Sequence, residues 1–273
     1  MKGFTLLVLF VAISFSGFSQ KGYEVGGFVG ITNYIGDINP NFSLKTPGVT
    51  IGGIARYNFN TRTVLRFDVN AGQLRGNDAI SENNFQKARN LSFRTDYLDA
   101  ALNFEFNFFS LVHGSRDKYY TPYVFAGLGF TYYNPKAKLD GAWYALRQYG
   151  TEGQLKGDEY ARIAAGLTYG MGMKLDLNYE WSLNFELMVR QPGTDYLDDV
   201  STVYPVMSEL ASRHGDIAVQ LSDRSAELGI EPIGAPGYQR GTSGNNDAYY
   251  SVRIGLVYYI GLLQCPALSK PRP

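Results

Sequence analysis

From Val49 onward the side chains alternate. Val49, Ile51, Gly53, Ala55, Tyr57 and Phe59 fall on one face and Thr50, Gly52, Arg56 and Asn58 on the other, interrupted only by Ile54. A period of two is that of a β-strand. After the turn word NFNTRT the pattern resumes, with Leu65, Phe67, Val69 and Ala71 against Arg66, Asp68, Asn70 and Gly72, which predicts a hairpin. The strictest run sets Leu98, Ala100, Leu102, Phe104, Phe106 and Phe108 against Asp99, Ala101, Asn103, Glu105 and Asn107. Another long run covers 162–176, and less regular ones cover 23–32, 122–133, 183–191 and 249–261. The regular runs reach the about 9–11 residues that a strand needs to cross a bilayer at a tilt.

These segments predict eight strands, the smallest even number that closes a membrane barrel. Their connections alternate in length. Short links (58–63, 110–120, 176–182) separate long ones (33–47, 75–91, 134–159, 192–247). Short periplasmic turns and long external loops mark outer-membrane barrels, and this phase puts both termini in the periplasm. The expected fold is therefore all-β, an eight-stranded antiparallel transmembrane outer-membrane β-barrel with long extracellular loops. The last loop is expected to be partly helical, because DIAVQLSDRSAELG follows Asp216 with amphipathic spacing and ends at Gly229, with Pro205 suited to a first helical turn. A soluble lipocalin-like barrel, with its faces inverted, is the structural runner-up.

Composition supports the membrane reading. Only 18% of residues are charged while 15% are aromatic, with 21 Tyr and 17 Phe, and several of these rings fall at strand ends where an interfacial girdle would lie. The N-terminus MKGFTLLVLFVAISFSGFSQ carries one basic residue, an apolar run, and small residues Gly17 and Ser19 before a cut at Gln20. Residues 1–19 read as a signal peptide, 20–263 as the barrel and 264–273 as a periplasmic C-terminal tail. Lys+Arg and Asp+Glu number 25 each, so no long-range field favours nucleic acid. A single cysteine, Cys265, allows no internal disulfide; it is an inert thiol or a contact to a partner.

The polar face carries charges of both signs: Glu24, Arg56, Arg66, Asp68, Asp99, Glu105, Arg162, Lys174, Asp176, Glu186, Arg190 and Arg253. In a barrel this narrow they are expected to pair into a lumen charge network that plugs the interior. The glycine words GLGF and GMGM open no helix and are read as strand glycines beside bulky neighbours.

The densest acidic stretch is TDYLDDVST. Asp195, Asp198 and Asp199, with Asp216 and His214, could be read as a rim enzyme, and hard carboxylates would suit calcium. The spacing D-x-x-D-D lacks the alternating ligands and glycine of a loop-type calcium site. Loop anchoring by Asp195, Tyr196, Asp198 and Asp199 through turns and capping bonds is therefore preferred. No catalytic residue, metal, cofactor or small-molecule substrate is expected. His113 falls in a predicted periplasmic turn, away from His214.

Five further segments carry a resemblance: GVTIGGIARYNFNTRTVLRFDVNAGQLRGND, LSFRTDYLDAALNFEFNFF, TPYVFAGLGFTYYNPKA, WYALRQYGTEGQ, and TDYLDDVSTVY with the later LSDRS. In these words and their order the chain resembles the PorG-type outer-membrane β-barrel proteins of Bacteroidetes. The resemblance implies a non-enzymatic component of the type IX secretion and gliding apparatus, standing among outer-membrane lipid. It also implies contact with periplasmic ring proteins, a lipoprotein and its partner subunit. The turn SLVHGSRDKYY and Cys265 are the expected contact points. The alternative is a structural or binding barrel unrelated to secretion.

Overall fold

The computed structural model describes residues 22–41 and 45–261. The signal peptide expected over 1–19, the tail 264–273 and Cys265 lie outside the described residues. Eight long strands form the body: β1 (Gly22–Ile35), β2 (Gly48–Asn58), β3 (Thr63–Asn77), β4 (Ser92–Asn107), β5 (Tyr120–Leu139), β7 (Ile163–Asp176), β8 (Trp181–Pro192) and β9 (Ala248–Ile260). A short strand β6 (Ala142–Ala145) pairs only with the outer end of β5. Each long strand is antiparallel to its neighbour in the chain, and β9 closes on β1, from Tyr23 opposite Ile260 to Ile35 opposite Ala248. Closure removes both sheet edges.

The faces sort as alternation requires. Leu98, Leu102 and Phe104 stand exposed on the outer wall, while Asp99, Asn103 and Glu105 of the same strand are buried inside. A wall that turns its apolar side outward and its charges inward is a membrane barrel's, with the lipocalin order reversed. Ile54, which interrupts the pattern, points inward and packs on Phe28 and Val257.

The strands run further than the apolar stripe suggested. β3 continues to Asn77 and β5 reaches Leu139, both inside what read as loops, while β4 starts at Ser92, where the second loop is expected to end. Beyond the apolar band the ladder persists with polar outward residues, so hydropathy loses the strand before the hydrogen bonds do. Arg162 is a correction: it precedes β7 and is exposed, outside the lumen network, because it sits one residue before the ladder that would turn it inward.

The long connections are folded. Helix α1 (Asn84–Arg89) lies in the second, and α2 (Met207–His214) and α3 (Asp216–Ser222) in the last. The helix expected through Gly229 stops at Ser222, and Pro205 stays outside α2, whose N-cap is Val206. Asp223 ends α3 by turning its carboxylate to the amides of Ser225 and Gly234. Short turns of residues 59–62, 108–119 and 177–180 close the opposite end.

Candidate functional site

The middle of the lumen is occupied by ten buried charges. Arg56, Arg66, Lys174, Arg190 and Arg253 face Glu24, Asp68, Asp99, Glu105 and Glu186, none more than 7% exposed. Glu186 is the hub. It accepts from Arg56 Nη2 at 3.1 Å, Arg66 Nη1 at 2.7 Å, Arg253 Nη2 at 2.6 Å and the Tyr123 hydroxyl. Arg56 reaches Glu24 at 3.0 Å and Glu105 at 3.1 Å, Arg66 forks onto Asp68 at 2.6 and 2.7 Å, and Lys174 meets Glu105 at 2.5 Å. Arg190 pairs with Asp99 at 2.8 Å one layer nearer the mouth. Such a set is tolerated in a low-dielectric interior only because charges of each sign pair and hydrogen-bond.

Aromatic rings fill the spaces between. Phe125 lies 4.2 Å under the Arg66 guanidinium and Phe28 4.3 Å under that of Arg253. Gly170 and Gly172 make room, since a Cβ on either would come within 2.6 Å of the Phe125 or Tyr123 ring. Two internal cavities, one beside Arg253 and one beside His113, measure about 10 Å³ each, room for about one water.

At the short-turn end His113 folds under the barrel. Its Nδ1 is 3.0 Å from Asp176 and its Nε2 3.6 Å from Glu24, with the ring stacked 4.0 Å from Tyr259. Burial pulls its pKa down, but the bonds to Asp176 and Glu24 outweigh this and lift it to about 9. Within SLVHGSRDKYY, Leu111 and His113 are buried, and Arg116, Asp117 and Lys118 are its exposed charged members, beside the exposed Tyr119 and Tyr120.

The mouth is sealed by the TDYLDDVST segment. Leu197 and Val200, at 0% and 1% exposure, drop into a ring of Tyr34, Phe93, Tyr97, Tyr133 and Tyr249. The intervening carboxylates turn sideways. Asp198 accepts from the Tyr34 hydroxyl at 2.6 Å and from the amides of Val200 and Ile38. Asp199, held at a φ of 68°, accepts from Thr151 at 2.5 Å and Tyr160 at 2.7 Å. Tyr196 stacks 4.5 Å from Tyr160. Asp195 is buried but neither of its oxygens finds a hydrogen-bond partner.

Burial raises all three carboxyls: Asp195 to about 7, with Asp37 and Glu152 adding to the rise, Asp199 to about 6 against the pull of Arg240, and Asp198 well above its ordinary range. The oxygens of Asp198 and Asp199 are engaged by different donors on different loops, which is anchoring geometry. Among the described residues, no three His, Cys, Asp or Glu side chains converge to hold a metal ion. His214 Nε2 meets the Gln154 carbonyl at 3.2 Å.

Four anchors escaped the sequence reading. Glu152 caps the amides of Ser201 and Thr202, and its carboxylate pairs with Arg240 at 3.1 Å. Arg240, 2% exposed, also donates to the Asp199 carbonyl. Asp247 accepts from the Leu197 amide, and Arg89 forks onto Asp78 while donating to the Arg240 carbonyl. Only Glu152 had a signal, its place in WYALRQYGTEGQ.

A model for the family described as a domain of unknown function (DUF6089) matches residues 3–217. No curated protein matches the sequence. Among solved structures the chain is similar to the outer membrane protein OprG from Pseudomonas aeruginosa (10% identity, 89% of this chain and 98% of that one, TM-score 0.44). It is also similar to Neisserial surface protein A (10%, 87% and 96%, 0.42) and to Ail, the attachment invasion locus protein of Yersinia pestis (11%, 89% and 99%, 0.41).

Proposed function

We propose that this chain, which belongs to the DUF6089 family, is a non-enzymatic structural barrel of the outer membrane that serves the type IX secretion and gliding apparatus. Its termini and short turns face the periplasm, where they meet the ring formed by a lipoprotein and its partner subunit. The observation that carries the structural role is the occluded lumen: ten paired charges across the middle and an apolar plug at the mouth. A conduit needs a continuous wet path, and side chains here take its place. The outer wall, the loops and the turns remain as working surfaces.

What supports the secretory reading is the resemblance to PorG-type barrels. Two of its words, WYALRQYGTEGQ and TDYLDDVSTVY, meet in one structural unit through Glu152 and Thr202. The test is affinity purification of the tagged full chain from outer membranes, together with deletion of the gene. Recovery of periplasmic ring subunits and loss of type IX export support the reading. Empty pull-downs with export intact overturn it in favour of a structural barrel unrelated to secretion.

A further inference from the structure

The outer wall is uneven in charge. Among the described residues, the outward positions of β1, β2, β7, β8 and β9 carry no Asp, Glu, Lys or Arg. Those of β3, β4 and β5 carry five: Arg75, Arg94, Asp96, Lys136 and Lys138. The strand register stacks them into rungs. Ala71, Leu98 and Tyr132 form the last apolar rung; Gln73, Asp96 and Asn134 form the next; Arg75, Arg94 and Lys136 then lie side by side across three strands. Like charges directly opposite one another are unfavourable in a sheet. A row of three is a liability unless an anion offsets it.

The one acid present does so in part. Asp96 accepts from Arg94 at 3.1 Å and Lys136 at 2.9 Å. Among the described residues the Arg75 guanidinium donates only to the Gln73 side chain, at 2.9 Å, and neither Arg75 nor Lys138 has a carboxylate partner. Arg75, Arg94 and Lys138 line a 330 Å³ cleft with Ser92, Thr46 and Trp143. The Arg94 guanidinium lies 5.4 Å over the Trp143 ring, which is half exposed.

The height of the cleft selects its occupant. Four residues separate the cationic rung from the last apolar one, roughly 13 Å along a strand and about 10 Å along the barrel axis at the usual tilt. That is just above the hydrocarbon, and long basic side chains reach back toward it. Trp143 stands one rung further out, opposite Lys138, with its ring reaching the Arg94 guanidinium, and an indole is the usual interfacial anchor. We propose that this cleft binds the phosphate headgroup of a membrane lipid of net negative headgroup charge in the leaflet facing the long loops. The forked Arg75 and Arg94 and the point charge of Lys138 would hold the phosphate, and the acyl chains would lie along Leu98, Tyr132 and Phe130. The inference rests on the barrel standing in a bilayer and is independent of any role in secretion.

The full chain contains two tryptophans, so Trp181→Phe leaves Trp143 as the reporter. This protein, folded in neutral detergent micelles, is titrated with phosphatidic acid, with phosphatidylcholine and with inorganic phosphate. The expected result is a saturable change in Trp143 emission with phosphatidic acid alone. Combining Arg75→Gln, Arg94→Gln and Lys138→Gln should weaken it by at least about tenfold, the equivalent of one lost charge-assisted hydrogen bond. Arg116→Gln with Lys118→Gln, at the other end of the barrel, should leave it unchanged. Should the triple variant fail to fold, the exposed Lys138→Gln alone must weaken the response in the same direction. An equal response to both lipids, an equal response to inorganic phosphate, or a response that survives loss of these cations overturns the proposal.

Discussion

Asp198 and Asp247 approach one hydroxyl from two sides: Tyr34 Oη lies 2.6 Å from Asp198 Oδ2 and 2.6 Å from Asp247 Oδ1. A phenol has one proton to donate, so the second contact requires a protonated carboxyl that donates to Tyr34 in turn. Burial raises both carboxyls well above the usual range; the charge of Asp198 adds to the rise at Asp247, and that of Asp37 to the rise at Asp198. The mouth cap is thus held partly by bound protons.

That sets a pH dependence. Carboxyls raised in the folded state stabilise it fully below their unfolded value of about 4 and lose that contribution as pH rises through the folded values. Asp199 at about 6 and Asp195 at about 7 place the loss near neutrality. Protection factors of the Leu197 and Val200 amides, with the intrinsic pH dependence of exchange divided out, should be larger at pH 5 than at pH 8. Asp247→Asn supplies an amide that donates to Tyr34 and still accepts from Leu197, so it should reduce the difference, leaving the part due to Asp195 and Asp199. Equal wild-type protection at both pH values would refute the shared proton.

Glu186 is the anion for three guanidinium groups. Glu186→Ala leaves them buried with too little compensating charge and should cost about 3–5 kcal/mol. Urea unfolding in lipid vesicles, followed by the gel mobility of the folded band, measures this. A loss under about 1 kcal/mol would show that the network is not what holds the lumen.

His113 should act in the alkaline range. Its imidazole is raised, so the stability it contributes is present below about 6.5 and is lost as pH rises through about 9. The contribution is at most about 3 kcal/mol. Unfolding midpoints at pH 7 and pH 10 should differ less in His113→Gln than in the wild type.

Conductance separates the two barriers. Planar bilayers holding the wild type should show no unitary steps, and Leu197→Ser with Val200→Ser should remain silent because the charge layer still blocks the lumen. Joint Arg56→Ala, Arg66→Ala and Glu186→Ala should open it. Steps from the mouth variant alone would mean that the middle layer is permeable.

Much of this architecture was legible in the chain. Alternation placed Arg56, Arg66, Glu105 and Arg253 on one face and Phe104 and Leu102 on the other, because a strand has two sides and each solvent selects one. Alternation of apolar and polar residues stops before the strands do. Gln73 and Asn134 end the apolar stripe, so the ends of β3 and β5, which continue four and five residues beyond them, read as loops. Arg162, one residue outside β7, read as lumen.

The sequence by itself determined the eight membrane-crossing segments, their inward and outward faces, and the balance of charges to be buried. These are local properties, fixed by side-chain period and by the cost of placing a charge in hydrocarbon. Only the tertiary structure decided which charge meets which. Arg56 and Glu186 are 130 residues apart and Tyr34 and Asp247 are 213 apart, and both pairs exist because the barrel closes β9 onto β1 in one register. A shift of one residue in that register would reverse which face meets lipid, so the pairing is set by the whole ring together.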